Sequence, residues 1–257
     1  MRKTSALFGV GMAAMMAVSC TNHYVLAGIE RSRIVVDSRY DAQPNTEATA
    51  FLAPFKQKVD SIMGPVVGSV AHDMAAKRPE SDLSNLLPDI LVWAAKDYGE
   101  KPDFGVYNVG GIRAALSKGN VTFGDVLDVA PFENKICFLT LKGDKVLELF
   151  HQIAMRGGEG VSHGVELVIT PKGELLSARL NGQEIDPQRD YRVTTIDYLA
   201  QGNDQLDAFK AHTNLNSPLE DSNNTRYIIA NYFKTMQQQG KVVDSKMEGR
   251  IVVRSDK

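Results

Sequence analysis

The sequence predicts an α/β fold of the mixed α+β kind, in which helices pack on a mixed sheet. Strand-like and helix-like segments are interspersed along the chain without strict alternation, which favours a mixed sheet over a purely parallel one. Hydrophobic residues make up 43% and charged residues 23% of the 257 residues, as in ordinary globular domains. No internal repeat, low-complexity tract or Pro/Ser-rich linker divides the chain. A single folded domain is therefore expected after the N-terminal segment.

Helical segments are predicted where apolar residues recur every three or four positions. The long ones are residues 49–63, 81–98, 146–154 and 224–239. In residues 81–98, Ser84 is a candidate N-cap and Gly99 a candidate end. Residues 112–116 and a segment that starts at Val121 are expected to form short helices or turns.

Strands are predicted where short apolar or alternating runs lie between turn residues. They are residues 34–36, 66–70, 104–108, 136–141, 166–170, 175–180, 191–196 and 250–254. Turn signals at residues 171–173 and 181–182 connect the later strands as hairpins. The strands and helices follow one another in the mixed order that the fold class requires.

The N-terminus resembles a bacterial lipoprotein signal. Arg2 and Lys3 precede the apolar run Ala6–Val18, which is too short to cross a bilayer and suits a signal peptide. We expect residues 1–19 to be the signal peptide and Cys20 to be lipidated. Residues 20–48 would then be a tether that connects the lipid anchor to the folded domain at 49–257. The alternative is a secretory signal cut elsewhere, which leaves Cys20 incidental.

The second cysteine, Cys137, lies in a strand-like run and is interpreted as a buried small hydrophobe.

Charge and motif content exclude several classes of function. The formal net charge is −2 and no basic cluster occurs, which argues against a nucleic-acid partner. The five histidines form no HExxH motif, and His72-Asp73 alone is a weak metal candidate. The sequence holds neither a G-x-S-x-G nucleophile motif nor a P-loop, and the glycines at 157–160 are explained by a flexible loop. We predict no catalytic centre and no metal site in this chain.

Three segments offer a candidate binding site instead. Asn108 to Arg113 (NVGGIR) places an Arg after a glycine turn at a strand end, where ligands gather in α/β folds. Phe132 lies in a Pro-Phe-Glu-Asn turn, and Tyr198 and Asp204 flank a glycine turn after another strand. Two aromatics and an Arg could hold a flat ring. Alternatively, the aromatics are packing residues and Arg113 forms a surface ion pair.

Several motifs in order resemble the C-terminal domain of the 5'-nucleotidase family over roughly residues 66–253. They are ESDLSNLLPDIL, NVGGIR, GNVTFGDVLDVAPFEN, LKGDKVLELF and TTIDYLAQGND. The resemblance implies substrate recognition by Arg113, Phe132, Asn134, Tyr198, Asp204 and Lys77. Phe132 and Tyr198 would sandwich the base. The chemistry of the family belongs to an N-terminal metallophosphoesterase domain with two metal ions, whose motifs are absent from this sequence.

Three positions depart from the family pattern. Asn203 stands where a second glycine is usual, and Asn tolerates positive φ better than most residues. Gln205 follows Asp204 where Gly is usual. Lys77 or Arg78 lies near the place of a substrate-binding Arg that precedes the E-S motif in relatives. Lys77 is the closer in register, and Lys lacks the bidentate fork of Arg.

The resemblance implies a nucleotide- or nucleoside-recognition subunit of a split 5'-nucleotidase-type hydrolase. A separate metallophosphoesterase chain would carry the divalent metals, and this chain would hold no cofactor. We expect the lipid anchor to tether it in the bacterial cell envelope, facing the periplasm or on the cell surface. Two alternatives are a non-catalytic nucleoside- or nucleotide-binding lipoprotein and a structural relic that binds nothing.

Overall fold

A computed structural model describes residues 26–42 and 44–254. The predicted signal peptide, residues 1–19, and Cys20 lie outside these residues. The chain divides into two units, residues 1–51 and 52–257. In the first unit, the described residues include the 3-10 helix Ser38–Tyr40 and none is buried. The prediction of a strand at residues 34–36 is wrong. These residues are exposed, and no strand among the described residues pairs with their backbone.

Four of the six α-helices in the described residues agree with the four predicted long segments. The six are α1 (Thr46–Met63), α2 (Asp82–Ala94), α3 (Phe123–Val129), α4 (Gly143–Met155), α5 (Asp197–Ala200) and α6 (Thr225–Gln238), and the short helices α3 and α5 are additional to those segments. A 3-10 turn, Ala95–Tyr98, continues α2 until Gly99, whose φ of 67° ends it as predicted. No helix among residues 26–42 and 44–254 is long and apolar enough to span a membrane.

The N-cap of α2 differs from the sequence prediction. Ser81 caps the helix, and its Oγ accepts the backbone N–H of Ser84. Ser84 instead occupies the third helical position, where its Oγ accepts the backbone N–H of Ser81. The two serines therefore form a reciprocal capping box, which begins the helix three residues earlier than a cap at Ser84 would.

The strands of the described residues form three sheets. The strands are β1 (Val66–Val70), β2 (Phe104–Tyr107), β3 (Gly119–Thr122), β4 (Ile136–Lys142), β5 (Gly160–Val161), β6 (Val165–Ile169), β7 (Leu175–Leu180), β8 (Gln183–Glu184), β9 (Asp190–Ile196), β10 (Thr213–Asn216) and β11 (Ile251–Val253). The sheet orders are β1-β3, β10-β4-β9-β2-β5 and β11-β6-β7-β8. The central sheet pairs β2 parallel with β9 and β4 antiparallel with β9, so the predicted mixed sheet is confirmed.

The core fills the space between the central sheet and the helices on it. β2 is buried along its whole length, and α2 packs against it closely enough that a Cβ at Gly105 would lie 2.9 Å from the Pro88 carbonyl oxygen. Phe104 meets Phe150 of α4 with ring centroids 5.4 Å apart. Cys137 is buried in β4, and burial raises the pKa of its thiol to about 12, which confirms its interpretation as a small hydrophobe.

Candidate functional site

Four chain segments meet at one edge of the central sheet because of how its strands pair. The parallel strands β2 and β9 both end at this edge. β4 begins there, since Ile136 pairs with Ile196 at the end of β9. β5 also begins there, since Gly160 pairs with Tyr107 at the end of β2. The segments that carry Arg113, Phe132, Tyr198 and the glycine-rich loop are thereby brought together, as is expected of strand ends in α/β folds.

The segment after β2 turns tightly before Arg113. Val109–Gly111 forms a 3-10 turn. Residues 112–115 that follow form no regular secondary structure, where the sequence predicted a short helix or turn at 112–116. A Cβ at Gly111 would lie 2.5 Å from Oδ1 of Asn108, so this position requires glycine. After this segment, Leu116 forms an isolated antiparallel β-bridge with Met74.

A buried carboxylate joins the glycine-rich loop to this turn. Glu159 is 1% exposed, and its Oε2 accepts the backbone N–H of Val109 at 2.6 Å. Its Oε1 accepts Nε–H of Arg156 at 2.6 Å and an Nη2–H of Arg78. The glycine at 158 has a φ of 110°, and a Cβ there would lie 2.3 Å from the Pro79 carbonyl oxygen. The glycines therefore allow close approach of two loops.

Two exposed aromatic side chains line a slot at this edge. Phe132 is 47% and Tyr198 37% exposed, so neither ring belongs to the buried core. The slot has a volume of about 300 Å³. It is lined by Asn108, Gly110, Gly111, Arg113, Phe132, Asn134, Arg156, Tyr198 and Asp204. A groove of about 770 Å³ lies elsewhere, along β6 and β11, and none of the sequence-predicted residues lines it.

Arg113 lies at the rim of the slot. Its guanidinium carbon is 5.9 Å from the centroid of the Phe132 ring, within the range of a cation–π contact. Its Nη1 donates to the Gly110 carbonyl oxygen at 3.3 Å, and the side chain is exposed. The surface ion pair considered from the sequence does not form with any residue that the structure describes. Arg113 keeps hydrogen-bond donors that face the slot.

Asp204 organises the polar end of the slot. Its Oδ2 accepts from Nδ2 of Asn108 at 2.7 Å, and its Oδ1 accepts from the hydroxyl of Tyr198 at 3.2 Å. Partial desolvation, followed by the negative charge of Asp204 and this hydrogen bond, raises the pKa of Tyr198 above its usual value. The Tyr198 hydroxyl therefore stays protonated as a donor, and its ring is held toward the slot.

The turn that carries Asp204 contains left-handed backbone at two residues with side chains. Asp204 has a φ of 57° and Gln205 a φ of 61°, whereas Asn203 is not in this region. The sequence favours positive φ at Asn203. The structure instead has positive φ at the next two residues, Asp204 and Gln205. Gln205 stands where the family pattern has glycine, which adopts this conformation without the Cβ penalty.

We expect Gln205→Gly to raise the free energy of unfolding by about 0.5–1 kcal/mol. Left-handed backbone costs a residue with a Cβ about 1–2 kcal/mol, and the added chain entropy of glycine offsets part of the gain. Urea unfolding measures the change. Gln201→Gly is the matched control, because Gln201 has a φ of −79° and should gain nothing. An equal gain in both variants would contradict the explanation.

Five of the six sequence-predicted site residues line the slot together. They are Arg113, Phe132, Asn134, Tyr198 and Asp204. Lys77 does not line it, and its backbone N–H donates to Ser81 Oγ at 3.0 Å. Sequence reasoning missed Asn108 and Arg156. The signal for Asn108 was the NVGGIR motif itself. Arg156 directly precedes the glycine-rich loop, whose close approach to the turn after β2 cannot be read from sequence spacing.

The described residues do not provide a metal site. No group of three or more His, Cys, Asp or Glu side chains within residues 26–42 and 44–254 could hold a metal ion. The carboxylates near the slot are already engaged with arginines, an amide and a hydroxyl. These carboxylates therefore serve to position the donors around the slot.

Comparison with known proteins identifies the family. The family model for the 5'-nucleotidase C-terminal domain matches residues 66–211, more than half of the chain. The chain belongs to the 5'-nucleotidase C-terminal domain family. This confirms the resemblance drawn from the motifs, and Arg113, Phe132, Asn134, Tyr198 and Asp204 all lie within the matched residues.

Relatives and solved structures agree with the family and are longer than the matched region. Silent protein UshA(0) of Salmonella typhimurium strain LT2 is 26% identical over 207 residues, which cover 78% of this chain and 36% of that protein. Cell wall protein Lmo0130 of Listeria monocytogenes is 25% identical, over 82% of this chain and 30% of its own length. The 5'-nucleotidase precursor from Thermus thermophilus superposes with a TM-score of 0.69 at 26% identity, over 82% of this chain and 44% of that one. The chain thus spans about a third of the first two relatives.

Proposed function

We propose that this chain is the nucleotide- or nucleoside-recognition subunit of a 5'-nucleotidase-type hydrolase. The observation that carries the proposal is the pair of exposed aromatics, Phe132 and Tyr198, which line one slot with Arg113 and Asp204. Membership of the 5'-nucleotidase C-terminal domain family supports it. In this proposal a nucleobase stacks between the two rings, Asn134 and Asp204 offer hydrogen-bonding groups, and Arg113 donates to the ligand at the rim.

We expect Phe132→Ala and Tyr198→Ala each to weaken adenosine binding about tenfold or more. Stacking of a base on an aromatic ring contributes about 1–3 kcal/mol, and about 1.4 kcal/mol corresponds to tenfold in affinity. Titration calorimetry of the purified chain measures the change. Tyr227→Ala is the matched control, because Tyr227 is an aromatic with a similar exposure of 46% that does not line the slot. Parent-like affinity in both slot variants would rule out the base-stacking assignment.

We further propose that a separate metallophosphoesterase chain supplies the divalent metals and the hydrolytic chemistry. The support is that the matched relatives are more than twice as long as the region they share with this chain. The test mixes the purified chain with a candidate metallophosphoesterase encoded beside it and measures phosphate release from AMP with Mn²⁺ or Zn²⁺. A rate above that of the partner alone supports the split enzyme. Nucleoside binding without any gain would favour the non-catalytic binding lipoprotein instead.

We also propose that Cys20 carries a lipid and anchors the chain in the cell envelope. The apolar run Ala6–Val18 and the small residues before Cys20 support this, as does a relative named as a cell wall protein. The proposed mature chain consists of the tether at 20–48 and the domain at 49–257. Mass spectrometry of the N-terminal peptide tests the proposal, because an unmodified Cys20 in envelope-extracted protein would refute it.

A further inference from the structure

Arg156 enters the slot from the glycine-rich loop, with hydrogen-bond donors still available. Its side chain is only 19% exposed, and its Nε–H is bonded to Glu159. Within residues 26–42 and 44–254, no hydrogen-bond acceptor of the protein engages its terminal nitrogens. The Oδ2 atom of Asp204 lies 3.7 Å from Nη2, beyond hydrogen-bond distance. These nitrogens are not sealed from solvent, so an acceptor on a ligand in the slot can take the place of water on them.

The position of Arg156 is fixed by a buried carboxylate, that of Glu159, which does not line the slot. Glu159 is fully buried and accepts from Arg156, from Arg78 and from the backbone N–H of Val109. This arrangement ties the guanidinium group to the same turn that presents Gly110 and Gly111 to the slot. A guanidinium held by its Nε offers its two terminal nitrogens as a planar fork. Glu159 thus acts on the slot only through Arg156 and the turn.

The charges around the slot favour an electron-rich ligand group. Arg113 and Arg156 line the slot together with one carboxylate, that of Asp204. Behind them the buried carboxylate of Glu159 pairs with Arg156 and Arg78. One positive charge is in excess. Arg113 lies exposed at the rim, where water screens its charge, whereas Arg156 lies deeper, where charge-assisted hydrogen bonds are stronger.

From these observations we infer that Arg156 is a specificity-determining contact of the slot and that Glu159 is its positioning residue. The inference rests on the proposed function. A guanidinium group donates only, so Arg156 selects ligands that present an acceptor oxygen to it. Relative to adenosine, a purine ligand gains such an oxygen either as a phosphate oxygen, as in AMP, or as the ring carbonyl of a 6-oxopurine, as in inosine. The 6-amino group of adenine is a donor at the same ring position and gives Arg156 no such acceptor.

Titration of the purified full chain with adenosine, AMP and inosine tests the inference. We expect AMP or inosine to bind about tenfold more tightly than adenosine, and Arg156→Met to abolish that preference, so that its affinities for the three ligands lie within about twofold of one another. Loss confined to AMP assigns the contact to phosphate, and loss confined to inosine assigns it to the ring carbonyl. Arg179→Met, at an exposed arginine of β7, is the matched control and should retain the preference.

Two further results distinguish the possible failures. If Arg156→Met weakens all three ligands equally, or none, while Phe132→Ala still weakens all three, this inference is overturned and the proposed function stands. A parent chain that binds none of the three ligands overturns both. Folded Glu159→Gln should lose the same preference as Arg156→Met, which a purely structural role would not require. Retention of the preference in that variant would refute the positioning role, and the Arg156 result is independent of how well the Glu159 variant folds.

Discussion

Glu159→Gln is expected to lower the free energy of unfolding by about 3 kcal/mol, because a buried charge network loses its central carboxylate. Glu159 accepts hydrogen bonds from Arg78, Arg156 and the backbone N–H of Val109. A glutamine amide has one acceptor oxygen, and its NH₂ group would point at one of these three donors. The positively charged guanidinium groups of Arg78 and Arg156 would then lie close together without a negative charge between them. Urea unfolding of the purified variant measures the loss.

The control for this prediction is Glu166→Gln, the same substitution at an exposed glutamate of β6. We expect a change within about 0.5 kcal/mol there, as is usual for surface positions. If Glu159→Gln were as stable as this control, the buried carboxylate would contribute little to the fold. The link between the glycine-rich loop and the turn after β2 would then need another explanation.

Arg250→Met should lower the free energy of unfolding by about 3 kcal/mol as well, through a different network. Arg250 is 4% exposed and donates to both carboxylate oxygens of Asp89, at 3.0 and 2.7 Å. It also donates to Oε2 of Glu248 at 3.0 Å and to the Val161 carbonyl oxygen at 2.8 Å. Methionine fills similar space but removes all of these donors, and among the described residues the carboxylates of Asp89 and Glu248 keep only their contacts with His163. The start of β11 would lose its connection to α2 and β5.

Thermal and urea unfolding measure this change, and Arg254→Met provides the control. Arg254 is exposed and lies on the same segment, directly after β11. We expect the control to differ from the parent by no more than about 0.5 kcal/mol. Equal stability of the two variants would show that the Arg250 contacts are not stabilising. Because neither arginine lines the slot, both folded variants should bind ligand like the parent.

The parts of the fold with strong periodic patterns were predictable from sequence. The long helices and three strands of the central sheet, β2, β4 and β9, have patterns clear enough to be placed within a few residues. The strand at 34–36 was not, because an apolar triplet becomes a strand only with a partner, and none among the described residues pairs with it. Short edge strands such as β10, Thr213–Asn216, are likewise defined by their neighbours more than by their own residues.

The candidate site shows the same division. The motifs placed Arg113 and Tyr198 after strands and Phe132 in a turn, and the pairing of β2, β4 and β9 explains why these segments meet. Arg156 was not predictable, because its place depends on β5 pairing with β2 and on the buried bonds of Glu159. The bond from Arg156 to Glu159 is local, but Glu159 bonds in turn to Val109, far away in the sequence, and such a long-range contact leaves no local pattern.

An intermolecular NOE experiment on the purified chain with bound adenosine tests whether the base stacks between Phe132 and Tyr198. The base-stacking arrangement predicts NOEs from the adenine H2 and H8 protons to the ring protons of both Phe132 and Tyr198. Selective labelling of Phe and Tyr rings identifies the contacts, and the alanine variants assign them. Binding of adenosine with no NOE to either ring would contradict the account, since the ligand would then lie outside the slot.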